Sequence, residues 1–180
     1  ATGQDGSYLI ELLLRKGYNV VAVKRRTSLI NTDRIDHIFD DLHLSNHFEV
    51  AYGNMIDGGN IHRLLIEHKP DEIYNLAAQS HVRVSFETPT ETAEIVAMGT
   101  LKLIEAARNV CPEAKIYQAS SSEMFGDNPQ VPQSETTRFM PASPYACAKV
   151  FGHNIVRNYR ESYGMHLSSG ILFNHESPRR

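Results

Sequence analysis

The sequence predicts an α/β fold with a doubly wound, mostly parallel sheet, and three observations carry that prediction. Short apolar runs alternate with segments of helical period. Glycine or proline marks most of the changeovers. Polar, chemically capable residues follow five of the predicted strands: Arg25, Asn54, Ala78 to Ser80, Ser121 to Glu123, and Asn174 to Arg180. In open sheets of this kind ligands bind beyond the carboxyl ends of the strands.

Taken in order, Leu9, Leu12 and Leu13 set a helical period that ends at Gly17, and Val20 to Val23 form a short buried strand. Phe48 to Tyr52 alternate as a second strand. Gly53, Gly58 and Gly59 mark a loop before the helix of Ile61, Leu64 and Leu65, which closes at Pro70-Asp71. Glu72 to Ala77 make the next strand. A long helical stretch runs through Met98, Leu101, Leu103, Ile104 and Ala107 and is stopped by Pro112, before the strand Lys115 to Ala119. The proline-containing stretch from Asn128 to Pro144 reads as a loop over the site. A helix carrying Tyr145 and Lys149 follows, and His166 to Phe173 supply the last strand.

With 180 residues, 41% hydrophobic and 22% charged, the chain has the makings of one soluble domain, 1–180, around one core. A net charge of -3 with mixed signs gives no general reason to bind nucleic acid or an anionic membrane, although Lys24-Arg25-Arg26 is a local basic cluster. No apolar run suggests a membrane span. Cys111 and Cys147 lack metal-ligand spacing and fit a reduced, cytoplasmic protein, and the nine histidines form no zinc pattern, so no metal is expected. The chain opens without a signal peptide on a glycine turn leading into a helix, a turn that something is expected to precede.

The chemistry lies in two constellations. Gly3 and Gly6 match the last two glycines of a dinucleotide turn, where missing side chains let a helix N-terminus approach a pyrophosphate; the first glycine is absent, and glycines before a helix are common. At the next strand end, Arg25, Arg26, Thr27 and Ser28 offer cations and donors suited to a 2′-phosphate, where an acidic residue would suit a free ribose hydroxyl; NADP is therefore favoured over NAD, against the bland alternative of a solvated basic turn. In the second constellation Tyr145 and Lys149, four apart, share a helix face, so the ammonium can favour the ionised phenol and make it a base near neutral pH. A serine of the Ser120-Ser121-Ser122 run can hold the same substrate oxygen, and Glu123 is suited to a neighbouring carbon acid. A Tyr-x-x-x-Lys pair alone arises often by chance.

Longer strings go further: Thr2-Gly3-Gln4-Asp5-Gly6-Ser7-Tyr8, Arg25-Arg26, Gln118 to Glu123, Ser143-Pro144-Tyr145, and Gly170 to Arg180. On these, essentially end to end, the chain resembles the GDP-mannose 4,6-dehydratase family of extended short-chain dehydrogenases/reductases. The resemblance implies a Rossmann-type sheet of order 3-2-1-4-5-6 lacking its first strand and the C-terminal substrate domain, so that residues 1–180 are a fragment truncated at both ends. Without that strand, buried backbone groups would be left unpaired at about 1–3 kcal/mol each.

It also implies catalytic roles for Ser121, Glu123, Tyr145 and Lys149, and a place facing the sugar nucleotide for Asn174. Cofactor positions carry over to Gly3, Gln4, Asp5, Arg25, Arg26, Thr27, Ser28, Asn54, Met55, Leu76, Ala77, Ala78, Gln79, Ser80, Lys149, His175 and Arg180. The implied reaction converts GDP-mannose to GDP-4-keto-6-deoxy-mannose with loss of water through bound NADP, on the route to GDP-fucose and other deoxysugars, in a cytoplasmic homodimer or homotetramer. The family pattern is broken at four positions: Ser121 for threonine, Asn54 for aspartate, Glu91 for tyrosine, and Val96 for an acidic residue. Two alternatives stay open, another nucleotide-sugar epimerase, decarboxylase or reductase of the superfamily, and a non-catalytic NADP-binding relative.

Overall fold

The computed structural model describes residues 1–28 and 30–180. Two compact units divide the chain, one of Ala1–Asn54 with His175–Arg180 and one of Met55–Asn174. Each unit carries its own parallel sheet.

In the first unit, helix α1 (Gln4–Arg15) leads to strand β1 (Val20–Lys24), the short helices α2 (Asp36–Asp40) and α3 (Leu42–Ser45), and strand β2 (Phe48–Tyr52). The helix buries Ser7, Ile10, Glu11 and Leu14, spaced i, i+3, i+4, i+7, and leaves Leu12 half exposed at 49%. The expected period on Leu9, Leu12 and Leu13 is therefore out of phase: Ile10 and Leu14 face Val20, Ala22 and Phe48. Gly17, in the left-handed region at φ 84°, ends the turn after α1 as expected. Strands β1 and β2 pair in parallel from Val20 opposite Phe48 to Lys24 opposite Tyr52. Helix α2 goes unpredicted because its stretch is polar, yet Ile35 and Ile38 are fully buried and close this core.

The second unit runs through helix α4 (Gly58–His68), strand β3 (Glu72–Asn75), helices α5 (Val82–Glu87) and α6 (Pro89–Ala93), a π-helical turn (Glu94–Met98), helix α7 (Gly99–Val110), strand β4 (Lys115–Ser121), a 3-10 turn (Ser122–Met124), helix α8 (Pro144–Tyr163) and strand β5 (Leu167–Leu172). The long helix expected up to Pro112 is thus interrupted. Thr88, pushed out of the helical region by Pro89, breaks it once, and the π turn widens it again. Strands β3, β4 and β5 pair in parallel in that order, Asn75 opposite Gln118 and Ser121 opposite Leu172. In the order 3-2-1-4-5-6, the neighbours 2-3 and 4-5-6 are present, and strand 1 has no counterpart among the described residues.

The core of this unit joins Ile61 and Leu65 of α4, Leu103, Ile104 and Ala107 of α7, Ile116, Val156 and Leu167. Each such branched side chain, taken fully out of water, contributes about 1.5–3 kcal/mol. Between the 3-10 turn and α8 the chain folds back on itself: Met140 N donates to Met124 O at 3.1 Å and Asn128 Nδ2 to Arg138 O at 2.7 Å. Gly126, at φ 51°, is required there, since a Cβ would lie 1.8 Å from Met140 O. No helix among the described residues is long and apolar enough to cross a membrane.

Candidate active site

The start of α8 is built by Ser143, whose hydroxyl accepts from Ala146 N at 3.1 Å, and by Pro144 at the first helical position. That start puts Tyr145 in the first turn and Lys149 one turn on, both buried. Ser121 ends β4 and caps the 3-10 turn, accepting from Glu123 N at 3.2 Å. Burial pushes the Tyr145 phenol above its usual range; the Ser121 hydroxyl, hydrogen-bonded to it, pulls the other way, and the charge of Glu123 pushes it up again. Hydroxyl, carboxylate and phenol are therefore together within the second unit.

Lys149 stands beside the phenol, where the four-residue spacing puts it. Its ammonium lies 5.7 Å from the centre of the Tyr145 ring and donates to Ala119 O at 2.7 Å. Burial pulls it down from 10.5 to about 8. Burial, which penalises phenolate and ammonium alike, is the largest influence on both groups.

The sequence reading missed the polar network behind the lysine. Asn75 Nδ2 donates to Gln118 Oε1 at 2.7 Å, Thr100 Oγ1 to the same oxygen at 3.4 Å, and Gln118 Nε2 to Ala119 O at 3.1 Å, the carbonyl that also holds Lys149. Asn75, Thr100 and Gln118 are all buried. The available signal was an amide inside each of two predicted strands, which must find partners when buried. Val96 lies in the π turn, 2% exposed, in the apolar cluster of Ile95, Ala97, Tyr145 and Ala148; a carboxylate there would be desolvated, and valine fits.

The residues expected to hold a dinucleotide fall into separate groups. In the first unit Gly3 caps α1 without a side chain, and Gly6 has no room for a Cβ, which would lie 2.4 Å from Ala1 O. Around that helix start, His175 Nε2 meets Asp5 Oδ1 at 2.7 Å, Gln4 Nε2 donates to His175 O at 3.3 Å, and Arg180 Nη1 donates to the same carbonyl at 2.7 Å. Arg25, Arg26, Thr27 and Ser28 are exposed just after β1, and Asn54 is exposed after β2.

In the second unit Leu76 to Ser80 follow β3, with Ala77 N donating to Asn75 Oδ1 at 3.3 Å. Gln79 Nε2 donates to His81 O at 3.2 Å, while its Oε1 is buried with no partner among the described residues, so a ligand donor would fit there. Met55 packs its side chain into the two apolar clusters of this unit. Asn174 is exposed beyond β5, and Glu91 is exposed in the first turn of α6.

Comparison with known proteins identifies the relatives. The family model described as GDP-mannose 4,6 dehydratase matches residues 1–180. GDP-mannose 4,6-dehydratase of Vibrio cholerae is 59% identical over 182 residues, covering 99% of this chain and 49% of that protein. GDP-mannose 4,6 dehydratase 1 of Arabidopsis thaliana is 55% identical, covering 99% and 51%. Among solved structures, UDP-glucose 4-epimerase of Thermus thermophilus, a complex with NAD, superimposes with a TM-score of 0.79 at 26% identity, covering 93% of this chain and 51% of that one. The chain spans about half the length of the curated relatives it matches. It belongs to the GDP-mannose 4,6-dehydratase family.

Proposed function

We propose that this member of the GDP-mannose 4,6-dehydratase family is the NADP-binding, catalytic part of an enzyme that converts GDP-mannose to GDP-4-keto-6-deoxy-mannose with loss of water. Because the chain is about half the length of its relatives, the activity is proposed for the full-length enzyme. The observation that carries the reading is the meeting of Ser121, Glu123 and Tyr145 in one unit.

NADP, when bound, would supply the acceptor and donor of the hydride exchanged with the sugar. Ser121 holds the C4 oxygen by its hydroxyl, and Tyr145 takes the C4 hydroxyl proton as the ketone forms. That ketone acidifies the C5 proton, which Glu123 removes and passes to the departing C6 hydroxyl, so that water leaves; the proton taken up by Tyr145 balances the one later added at C5. Burial of Tyr145 and Lys149 supports the reading, since excluding water strengthens every polar contact to the sugar. Within the first unit, the α1 N-terminus with Gly3, Gln4 and Asp5 would hold the pyrophosphate region, and Arg25, Arg26, Thr27 and Ser28 would hold a 2′-phosphate, which favours NADP over NAD. The orphaned Gln79 Oε1 would accept from the cofactor in the second. A cytoplasmic homodimer or homotetramer feeding GDP-fucose synthesis completes the proposal.

Mass spectrometry of GDP-mannose incubated with the full-length enzyme and NADP tests it. Loss of one water, absent with Tyr145→Phe, is the expected result. Unchanged substrate from a folded, NADP-bound enzyme overturns it.

A further inference from the structure

We propose that His153 is a positioning residue for the dehydration, tying the strand end that carries Ser121 and the turn that carries Glu123 to α8; the inference rests on the reading of the site given above. His153 lies one helical turn beyond Lys149 and two beyond Tyr145, on the same face of α8. Its Nδ1 is 3.2 Å from the hydroxyl of Ser120, which is 3% exposed and directly precedes Ser121. The other side of the imidazole meets the ring of Phe139 edge to face, centroids 5.2 Å apart at 85°. Phe139 packs in turn on Phe125, 5.4 Å away and two residues after Glu123.

One half-buried imidazole thus touches the strand end that delivers Ser121 directly, and reaches the turn that delivers Glu123 through Phe139 and Phe125. Ser120 is gripped from α8 by His153, while the hydroxyl of its neighbour Ser121 meets the phenol. Around the ring stand the Ser120 hydroxyl from β4, Phe139 from the returning loop, and Arg157 and Arg160 of its own helix; burial, helped by those two cations, holds it neutral. A neutral ring can share a hydrogen bond with a buried hydroxyl without carrying a charge into the site. Reacting groups misplaced by about 1 Å lose as much as a hundredfold in rate, so a clamp of this kind acts on turnover more than on binding.

The test uses the full-length enzyme with His153→Phe, which keeps a ring against Phe139 and loses the nitrogen, Ser120→Ala, which removes the link from the other side, and His153→Asn, which keeps a polar atom close to the Nδ1 position. In the first two, kcat is expected to fall about tenfold with KM for GDP-mannose within about twofold, and His153→Asn is expected to recover part of the loss. The double variant of His153→Phe and Ser120→Ala should be no slower than the slower single one. Unchanged kcat in Ser120→Ala, or losses that multiply in the double variant, overturn the proposal. Amide hydrogen exchange over residues 119–126, measured without substrate or cofactor, should quicken in both single variants. Quickened exchange in an enzyme that does not dehydrate GDP-mannose overturns the functional reading and leaves the clamp standing; unchanged exchange overturns the clamp whatever the activity. Should His153→Phe fail to fold, Ser120→Ala carries both readouts.

Discussion

Among the described residues each unit buries one charged side chain on a helix, and the two are treated in opposite ways. In the first unit Glu11 on α1 is ringed by Arg15 at 2.8 Å, His37 at 2.8 Å and Arg179. Burial pushes its carboxyl up, but Arg179 and His37 more than offset this and hold it below its usual range. In the second unit Lys149 on α8 receives a backbone carbonyl and, among the described residues, no carboxylate partner, and its ammonium falls to about 8. A charge that is fully paired ties chain segments together. A charge that is left short of partners near a buried phenol costs stability and is available to a ligand.

The largest test of the contrast removes the under-partnered charge. Lys149→Met should lower turnover of the full-length enzyme about a thousandfold while raising its stability. The drop from 10.5 to about 8, at about 1.4 kcal/mol per pH unit, puts a ceiling of about 3 kcal/mol on the gain; about 2 is expected in urea unfolding. A loss of stability would mean that Lys149 is as well satisfied as Glu11. Glu11→Ala should act in the reverse direction, costing about 3 kcal/mol in the same assay because Arg179 is left without its carboxylate.

The pH dependence should separate the two sites further. Lys149 binds its proton less tightly folded than unfolded, so between about 8 and 10.5 the unfolded chain holds more protons and stability rises with pH; Lys149→Met should flatten that rise. Glu11, held below 4.5 in the folded chain, contributes stability that is complete above 4.5 and is lost as pH falls through its lowered value, and Glu11→Ala should remove that acid limb. The smallest effect belongs to Glu105 on α7, held to about 2 first by Arg108 and then by Tyr159 but with its side chain partly open to solvent. Glu105→Gln should leave the unfolding midpoint at neutral pH where it is, since water screens such a pair. A clear shift would show that exposure is a poor guide to which charges matter in this protein.

The paired and unpaired charges were not equally legible. Tyr145, Lys149, Ser121 and Glu123 could be read because a helix face and a strand end are local patterns. The direction in which Tyr145 titrates could not, because burial comes from Val96 and Ile95, some fifty residues away. Glu11 passed as an ordinary helix residue, its partners Arg179 and His37 being remote in sequence. The strands were found nearly to the residue; β3 ends at Asn75 and β4 runs on to Ser121 because pairing with β4 and β5 sets those limits. The phase of α1 was misread since Leu9, Leu12 and Leu13 offered a second apolar period beside that of Ile10 and Leu14. Nothing in composition announces a π turn, whose sign is a change in hydrogen-bond register.

That turn makes chain length itself a constraint. Residues 94–98 hold, in effect, one residue more than a regular α-helix would use. Deleting a single residue there would leave a smooth helix but swing α6 by about 100° about the axis relative to α7. Thr92, now fully buried, would leave its place, and the wall of Ile95, Val96 and Ala97 behind Tyr145 would be rebuilt from other side chains. A one-residue gap between relatives at this point would therefore alter the surroundings of Tyr145 more than most substitutions among those residues.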